Sequence, residues 1–342
     1  MNASEITSAS TTLGVGLVGA GARRSAGVRL QRFAVAYGVV VVFLALFVVM
    51  SVASDAFLTK TNLLNLLEAN ADIGIVACAG TLVIVAGGLD VSVGAIYALA
   101  AVLSAKLAID VGVVAGIVAG IGSGIVMGLF NGLVVTVGRV NSFVATLAGG
   151  IVFQSVAQVV TGANLLTPEQ ASFTDLGRNS FLGIKWVVWM FAATIVVTSV
   201  LLARARFGRE ASVVGANPEA ARLSGVRVAR VRCMTFVLSG FAAGIAGVVV
   251  TSQSGQADAN VGGTGYVLAV IAAIAVGGSS LRGGEGAIWR TVLGVLFLGL
   301  VTNGLHLLDV NPTYDQLFVG LLILLAVAAQ AVGRRHAGSG TT

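Results

Sequence analysis

The stretch 111–138 reads VGVVAGIVAGIGSGIVMGLFNGLVVTVG, 28 residues without a single charge. As helix it is more than long enough to cross about 30 Å of hydrocarbon. Gly112, Gly116, Gly120, Gly124, Gly128 and Gly132 recur within it at every fourth position. That spacing aligns them as one ridge, letting a neighbouring backbone approach closely where lipid gives no hydrophobic drive for helix association. The stretch predicts a membrane helix packed tightly on another, and Gly240, Gly244 and Gly247 offer a second ridge downstream. A bundle built on such ridges is a poor wide channel.

The rest of the chain agrees. Only 10% of its 342 residues are charged, 57% are hydrophobic, and 46 are glycine. A soluble domain carries roughly 25% charge, so this chain cannot keep a surface solvated in water. Mean hydropathy is +0.98. Charge-free stretches fall at 33–54, 73–89, 91–105, 111–138, 140–168, 186–203, 233–257, 259–281, 291–308 and 316–333. These predict an all-α polytopic membrane protein of about ten transmembrane helices. Stretch 91–105 must extend to about Ile109, and stretch 73–89 must begin earlier, near Leu63.

Orientation follows from the basic residues. With a cytoplasmic N-terminus, 16 of the 20 Lys and Arg fall in cytoplasmic segments. Lys60, Lys106, Arg178 and Lys185 remain outside. Both termini are therefore expected in the cytoplasm. Residues 1–32 read as a disordered Ser/Thr/Gly-rich cytoplasmic tail, 33–333 as the transmembrane domain and 334–342 as a second tail. The Gly14-x-Gly16-x-x-Gly19 match to a dinucleotide fingerprint has no preceding strand and no acidic residue about twenty positions on, so it is coincidence.

Several function classes drop out. Cys78 and Cys233 lie in separate apolar runs, and His306 and His336 are the two histidines, so no metal cluster or His-based triad is indicated. None of the three lysines follows a glycine, which removes a phosphate-binding loop. The net charge of +6 comes from arginines scattered between apolar stretches, which implies no nucleic-acid partner. No catalytic residue, cofactor or metal is expected. Transport is the natural role. An ion-coupled carrier usually holds ionisable groups at mid-membrane, and Glu68, Asp72, Asp90 and Asp258 all read as lying toward span ends.

The energy source is expected elsewhere, and residues 204–232 supply a candidate. They hold seven Arg and two Glu, and inside them lies Asn217-Pro218-Glu219-Ala220-Ala221-Arg222-Leu223-Ser224-Gly225. Asn is a good N-cap, Pro suits the first helical position, Glu complements the dipole there, and Gly can take the left-handed turn that ends a helix. A two-turn helix is marginal alone. It is either a surface turn or an element that docks on something.

These residues resemble a known family. Phe207-Gly208-Arg209 and Gly215-x-Asn217-x-Glu219-Ala220-Ala221-Arg222-x-Ser224-Gly225 resemble the coupling segment of ribose-type permeases of bacterial ABC sugar importers. Gly87-Gly88-Leu89-Asp90-Val91-Ser92-Val93-Gly94 is similar to that family's Gly-Gly-Ile-Asp-Leu-Ser-Val-Gly signature. Asn131-Gly132-Leu133, Phe143-x-Ala145-Thr146-Leu147, Leu238-Ser239-Gly240 and Gly277-Gly278-x-Ser280-Leu281-x-Gly283-Gly284 resemble further blocks in the right order.

The resemblance implies a transport subunit of the bacterial inner membrane that is not itself an enzyme. Its implied partners are a cytoplasmic ABC ATPase, an extracytoplasmic sugar-binding protein and a second permease copy. Its cargo would be a monosaccharide such as ribose, xylose or galactose, with a polyol or branched-chain amino acid as the alternative. Gly215, Asn217, Glu219, Ala220, Arg222, Ser224 and Gly225 would couple to the ATPase. Asp90 and Ser92 either cap the helix that follows or belong to a gate. Asn131, Thr146 and Asn303, each beside a small residue, either line a translocation path or hydrogen-bond between helices.

Overall fold

The computed structural model describes residues 38–315 and, beyond them, positions 317, 318, 320, 321 and 324. The expected tails 1–32 and 334–342, and nearly all of stretch 316–333, lie outside the described residues. Each of the other nine charge-free stretches holds a helix. They are α1 (Gly38–Ala53), α2 and α3 (Lys60–Ala69, Ala71–Val85), α4 (Val93–Asp110), α5 (Val113–Thr136), α6 (Ser142–Thr161), α8 (Trp186–Ala203), α11 (Val228–Ser254), α12 (Thr264–Val276) and α13 (Ile288–Leu307). Between them lie α7 (Ala171–Arg178), a hairpin of β1 (Ser180–Phe181) and β2 (Ile184–Lys185), α9 (Arg206–Ala216) and α10 (Pro218–Leu223).

Six of these helices are long and apolar enough to cross a membrane: α4, α5, α6, α8, α11 and α13. The pair α2–α3 makes a seventh, bent by 47° at Asn70. There the Asn70 side-chain amide donates to the Leu66 carbonyl (2.8 Å), completing α2 while its backbone opens α3. Stretch 259–281 differs most from expectation. Only 13 of its residues form α12, a helix of about 20 Å that is too short to cross hydrocarbon alone. Residues 255–263 turn instead, because Gly255 adopts a left-handed φ of 74° and Asp258 accepts from the Asn260 backbone N–H.

Five of the six ridge glycines of stretch 111–138 pack where their spacing said they would, while Gly112 precedes α5 at φ 134° with open space beside it. Gly116 lies against Ser104 and Ala108 of α4; Gly124 and Gly128 lie against the α11 backbone. Gly240 and Gly244 of α11 return the contact to Gly124, Gly128, Gly120 and Ile121. The opposite face of α5, with Val114, Val118 and Val126, is exposed, as suits a lipid-facing surface. Around this seam α3, α4, α11 and α12 bury Ile75, Val76, Ile96, Val102, Ala243, Val249 and Ile274 in one core.

Candidate functional site

Segment 86–92, between α3 and α4, turns at Gly87 and continues without regular structure, bringing Asp90 and Ser92 together with Asn131 of α5 and Thr146 of α6 in one polar cluster. Asp90 Oδ1 accepts from the Ser92 backbone N–H (3.0 Å) and the Ser92 hydroxyl (2.6 Å). Asp90 Oδ2 accepts from the Ser239 hydroxyl of α11 (2.9 Å). Ser92 Oγ in turn accepts from the Asn131 amide of α5 (2.7 Å). On the other side, Thr146 of α6 accepts from the Val91 backbone N–H (3.1 Å), and Ser142 accepts from that of Leu89 (3.1 Å). Asp90 is 6% exposed; Ser92, Asn131, Thr146 and Ser239 are fully buried. The peptide groups of a non-helical segment inside a helix bundle need partners, and these side chains supply them for Leu89, Val91 and Ser92.

The helix-cap reading of this turn is corrected. Ser92 is the N-cap of α4 and makes no side-chain cap bond. Its hydroxyl points back to Asp90, and Asp90 ties Ser92 to α11 instead of closing the first turn of α4. The small neighbours pack instead of leaving room: Gly132, beside Asn131, lies against Cys233 of α11, and Gly304, beside Asn303, against Met50 of α1. Gly149 further lets α6 close onto Asn131, where a Cβ would collide with the amide oxygen. That oxygen is buried and has no hydrogen-bond partner.

Asn303 lies elsewhere. It forms a reciprocal amide pair with Asn62 of α2 (3.1 and 2.8 Å). Beside the pair is a cavity of about 410 Å³ lined by Asn65, Asn70, Thr302, Asn303 and His306 among apolar residues of α2, α3, α12 and α13. His306 Nε2 meets Asp315 Oδ2 at 2.7 Å at its edge.

The short helix of segment 204–232 forms as its caps predicted. Asn217 Oδ1 accepts from the backbone N–H groups of Glu219 and Ala220 (3.1 and 3.0 Å), and Pro218 opens α10. Arg222 pairs with Glu219 at 2.7 Å, the Ser224 hydroxyl donates to the Ala220 carbonyl at 3.0 Å, and Gly225 ends the helix at φ 82°. One face docks on the body of the bundle: Ala221 joins Val85, Ala86, Ala211, Val214 and Val231 in a small apolar cluster. The other face is open, with Leu223 80% exposed.

Gly215, at the end of α9, joins this segment to the polar cluster. A Cβ there would collide with the Val85 carbonyl and the Gly284 backbone nitrogen. Gly284 N–H donates to that same Val85 carbonyl (2.9 Å). Gly283, at φ 91°, rests its backbone on Gly87, at φ 76°. Three chain segments thus meet backbone to backbone at the end of α3, directly before the segment that carries Asp90. Arg232 crosses the same point, its Nε donating to the Ala86 carbonyl (3.3 Å).

A buried polar cluster and a short capped helix are thus joined by one backbone path. The family model for the permease component of branched-chain amino acid transport systems matches residues 62–327. The chain belongs to this permease family.

Ribose import permease protein RbsC of Bacillus subtilis (strain 168) is 40% identical to the permease over 291 residues, covering 83% of this chain and 90% of its own. L-arabinose transport system permease protein AraH of Escherichia coli (strain K12) is 36% identical over 294 residues, covering 85% and 89%. L-arabinose ABC transporter permease protein AraH of Azospirillum brasilense is 37% identical over 291 residues, covering 85% and 86%. No solved structure matches the permease.

Sequence reasoning placed Asp90, Ser92, Asn131 and Thr146 among the candidates but did not bring them together, and it named Ser239 without linking it to Asp90. It also missed the mutual placement of Gly87, Gly215, Gly283 and Gly284. The paired glycines at 277–278 and 283–284 were the available signal, since a backbone that must touch another backbone cannot carry a Cβ. Leu223 was missed as well, a lone apolar residue whose exposure depends on which face of α10 is docked.

Proposed function

We propose that this permease is the membrane subunit of an ATP-driven bacterial importer for a monosaccharide of the pentose or hexose class. The sequence likeness to ribose and L-arabinose permeases over more than four fifths of the chain carries this reading. ATP is hydrolysed on a separate ABC subunit, and the sugar arrives from an extracytoplasmic binding protein. Two permease copies form the membrane unit in the cytoplasmic membrane, each with about ten membrane helices, the short α12 among them, and both termini inside. The charge asymmetry of the sequence supports that orientation, which puts α9, α10 and the arginine-rich end in the cytoplasm.

In this reading Gly215, Asn217, Glu219, Ala220, Arg222, Ser224 and Gly225 form the ATPase contact, with Leu223 as its apolar anchor. Asp90, Ser92, Asn131, Thr146 and Ser239 form a closed gate rather than an open lining. Asn303 belongs to the outer part of the path. A neutral sugar needs hydrogen-bonding amides and hydroxyls along its way, and the cavity beside Asn303 offers these with His306 as the one titratable group of its lining. Rigid-body motion of the docked helix would pull segment 86–92 through the glycine junction and separate the hydrogen-bonded groups, a shift of one packed arrangement to another.

Reconstitution tests this directly. Permease with its ATPase and binding protein in vesicles should take up ribose or arabinose only when ATP is supplied. Uptake by the permease alone, driven by an ion gradient, would sink the proposal. The family model's own description favours one rival cargo, branched-chain amino acids; competition by leucine but not by pentoses would move the assignment there.

A further inference from the structure

A second cavity, of about 1100 Å³, opens at the arginine-rich end, between the α5–α6 turn and the start of α11. Arg139, Arg222, Arg227, Arg230 and Arg232 all line it, together with Thr136, Asn141 and Ser142, and no Asp or Glu does among the described residues. Five of the 20 basic residues of the chain therefore border one hollow. Arg222 is balanced by Glu219 and Arg232 is anchored on the Ala86 carbonyl. Arg139, Arg227 and Arg230 have no salt-bridge partner among the described residues. Arg139 is also held at a left-handed φ of 55°, a conformation that a non-glycine residue seldom adopts. A one-signed concave surface focuses its field on whatever enters it. Guanidinium groups converging from different elements suit the several oxygens of a phosphate, which they bind through paired N–H donors.

We propose that this cavity binds a phosphate group, carried by the headgroup of an anionic phospholipid or by a soluble phosphate ester. Both sources fit the surroundings. The hollow opens beside the apolar surface of Val137, Val140 and Phe143, which are 74%, 38% and 47% exposed, and its volume exceeds that of a bare phosphate. A phosphate held there bridges the α5–α6 turn to the α10–α11 turn. It thereby fixes the start of α11 against segment 86–92, which Arg232 already touches.

The test uses the full permease in nanodiscs and reads its melting temperature. In phosphatidylcholine discs, added inorganic phosphate probes the soluble source; discs containing phosphatidylglycerol probe the lipid source. Ligand bound only to the folded state raises the melting temperature, so at least one arm should show a saturable rise that high salt suppresses. R227Q/R230Q should weaken that binding about tenfold or more, equivalent to at least about 1.4 kcal/mol. Lys106→Gln, at the far end of α4, should leave it intact. If the double variant does not fold, Arg139→Gln on the exposed α5–α6 turn reads the same loss. No rise in either arm overturns the proposal. So does a rise that survives both variants, or variants that lose the ATPase subunit while binding anions unchanged, since the cavity would then be a protein contact.

Discussion

At the α5–α11 seam, glycines from two regular helices interlock: Gly240 seats against Gly124 and Gly128, and Gly244 against Gly120. At the junction of Gly87, Gly215 and Gly283, glycines from three chain breaks meet, two of them at positive φ, beside one Gly284–Val85 hydrogen bond. Both contacts depend on the missing Cβ, but the seam runs the length of two helices and the junction touches at a point. Neither helix of the seam can shift without breaking many contacts at once. In the proposed function the junction would pass a displacement of α9 and α10 to segment 86–92 while the seam stays still. Close packing would then serve as a fixed frame in one place and as a link in the other.

Substitutions separate the two. Gly240→Leu should have the largest effect, because a Cβ there would collide with the α5 backbone; overpacking costs about 1–3 kcal/mol and more where rigid backbone is the obstacle. Purified protein should melt far below wild type or fail to accumulate. Gly215→Val also drives a Cβ into the Val85 carbonyl and the Gly284 nitrogen. It should lower the melting temperature, but by less than Gly240→Leu because the strain falls on one point contact. It should keep ATPase assembly and cut ATP-dependent uptake at least about tenfold, or about 1.4 kcal/mol. If instead it melts as badly as Gly240→Leu, the junction is merely structural. Asp90→Ala strands the Ser239 hydroxyl and two donors of Ser92, at about 1–3 kcal/mol for unsatisfied buried groups. Asp90→Asn retains an acceptor for Ser92 and should cost less than about 1 kcal/mol, read by the same melting assay. Lost uptake in a stable Asp90→Asn protein would show that the charge itself works in transport. Arg222→Ala breaks a pair whose members are 70% and 65% exposed, so stability should change by no more than about 1 kcal/mol.

Much of this was legible in the chain because the determinants are local. Charge exclusion marks the helices, every-fourth glycine marks a seam, and Asn217-Pro218-Glu219 with Gly225 marks a short helix at both ends. What stayed hidden depends on partners distant in sequence. Ser239 lies 149 residues from Asp90, and nothing near either residue names the other. The same holds for Asn62 with Asn303, and for Gly215 with Val85 and Gly284. The short α12 was hidden for a different reason: the chain stays free of charge through residues 259–263, while Gly255 and Asp258 turn it and Gly262 lies against Gly94 of α4. Hydropathy registers the environment there and not the backbone path. Helix α7 is tied to the bundle by the Ser252 hydroxyl on the Phe173 carbonyl, a bond that an eight-residue polar segment does not announce.

The central claim is that motion of the docked helix opens the buried cluster through the glycine junction. Thr146 is fully buried in that cluster. T146C, in a background lacking Cys78 and Cys233 and assembled with the ATPase and binding protein, should resist a small polar thiol reagent at rest and react during ATP turnover. Adding Gly215→Val should abolish the ATP-dependent reactivity while hydrolysis continues. Reactivity that is the same in every nucleotide state, or an ATP response that survives Gly215→Val, would contradict the account.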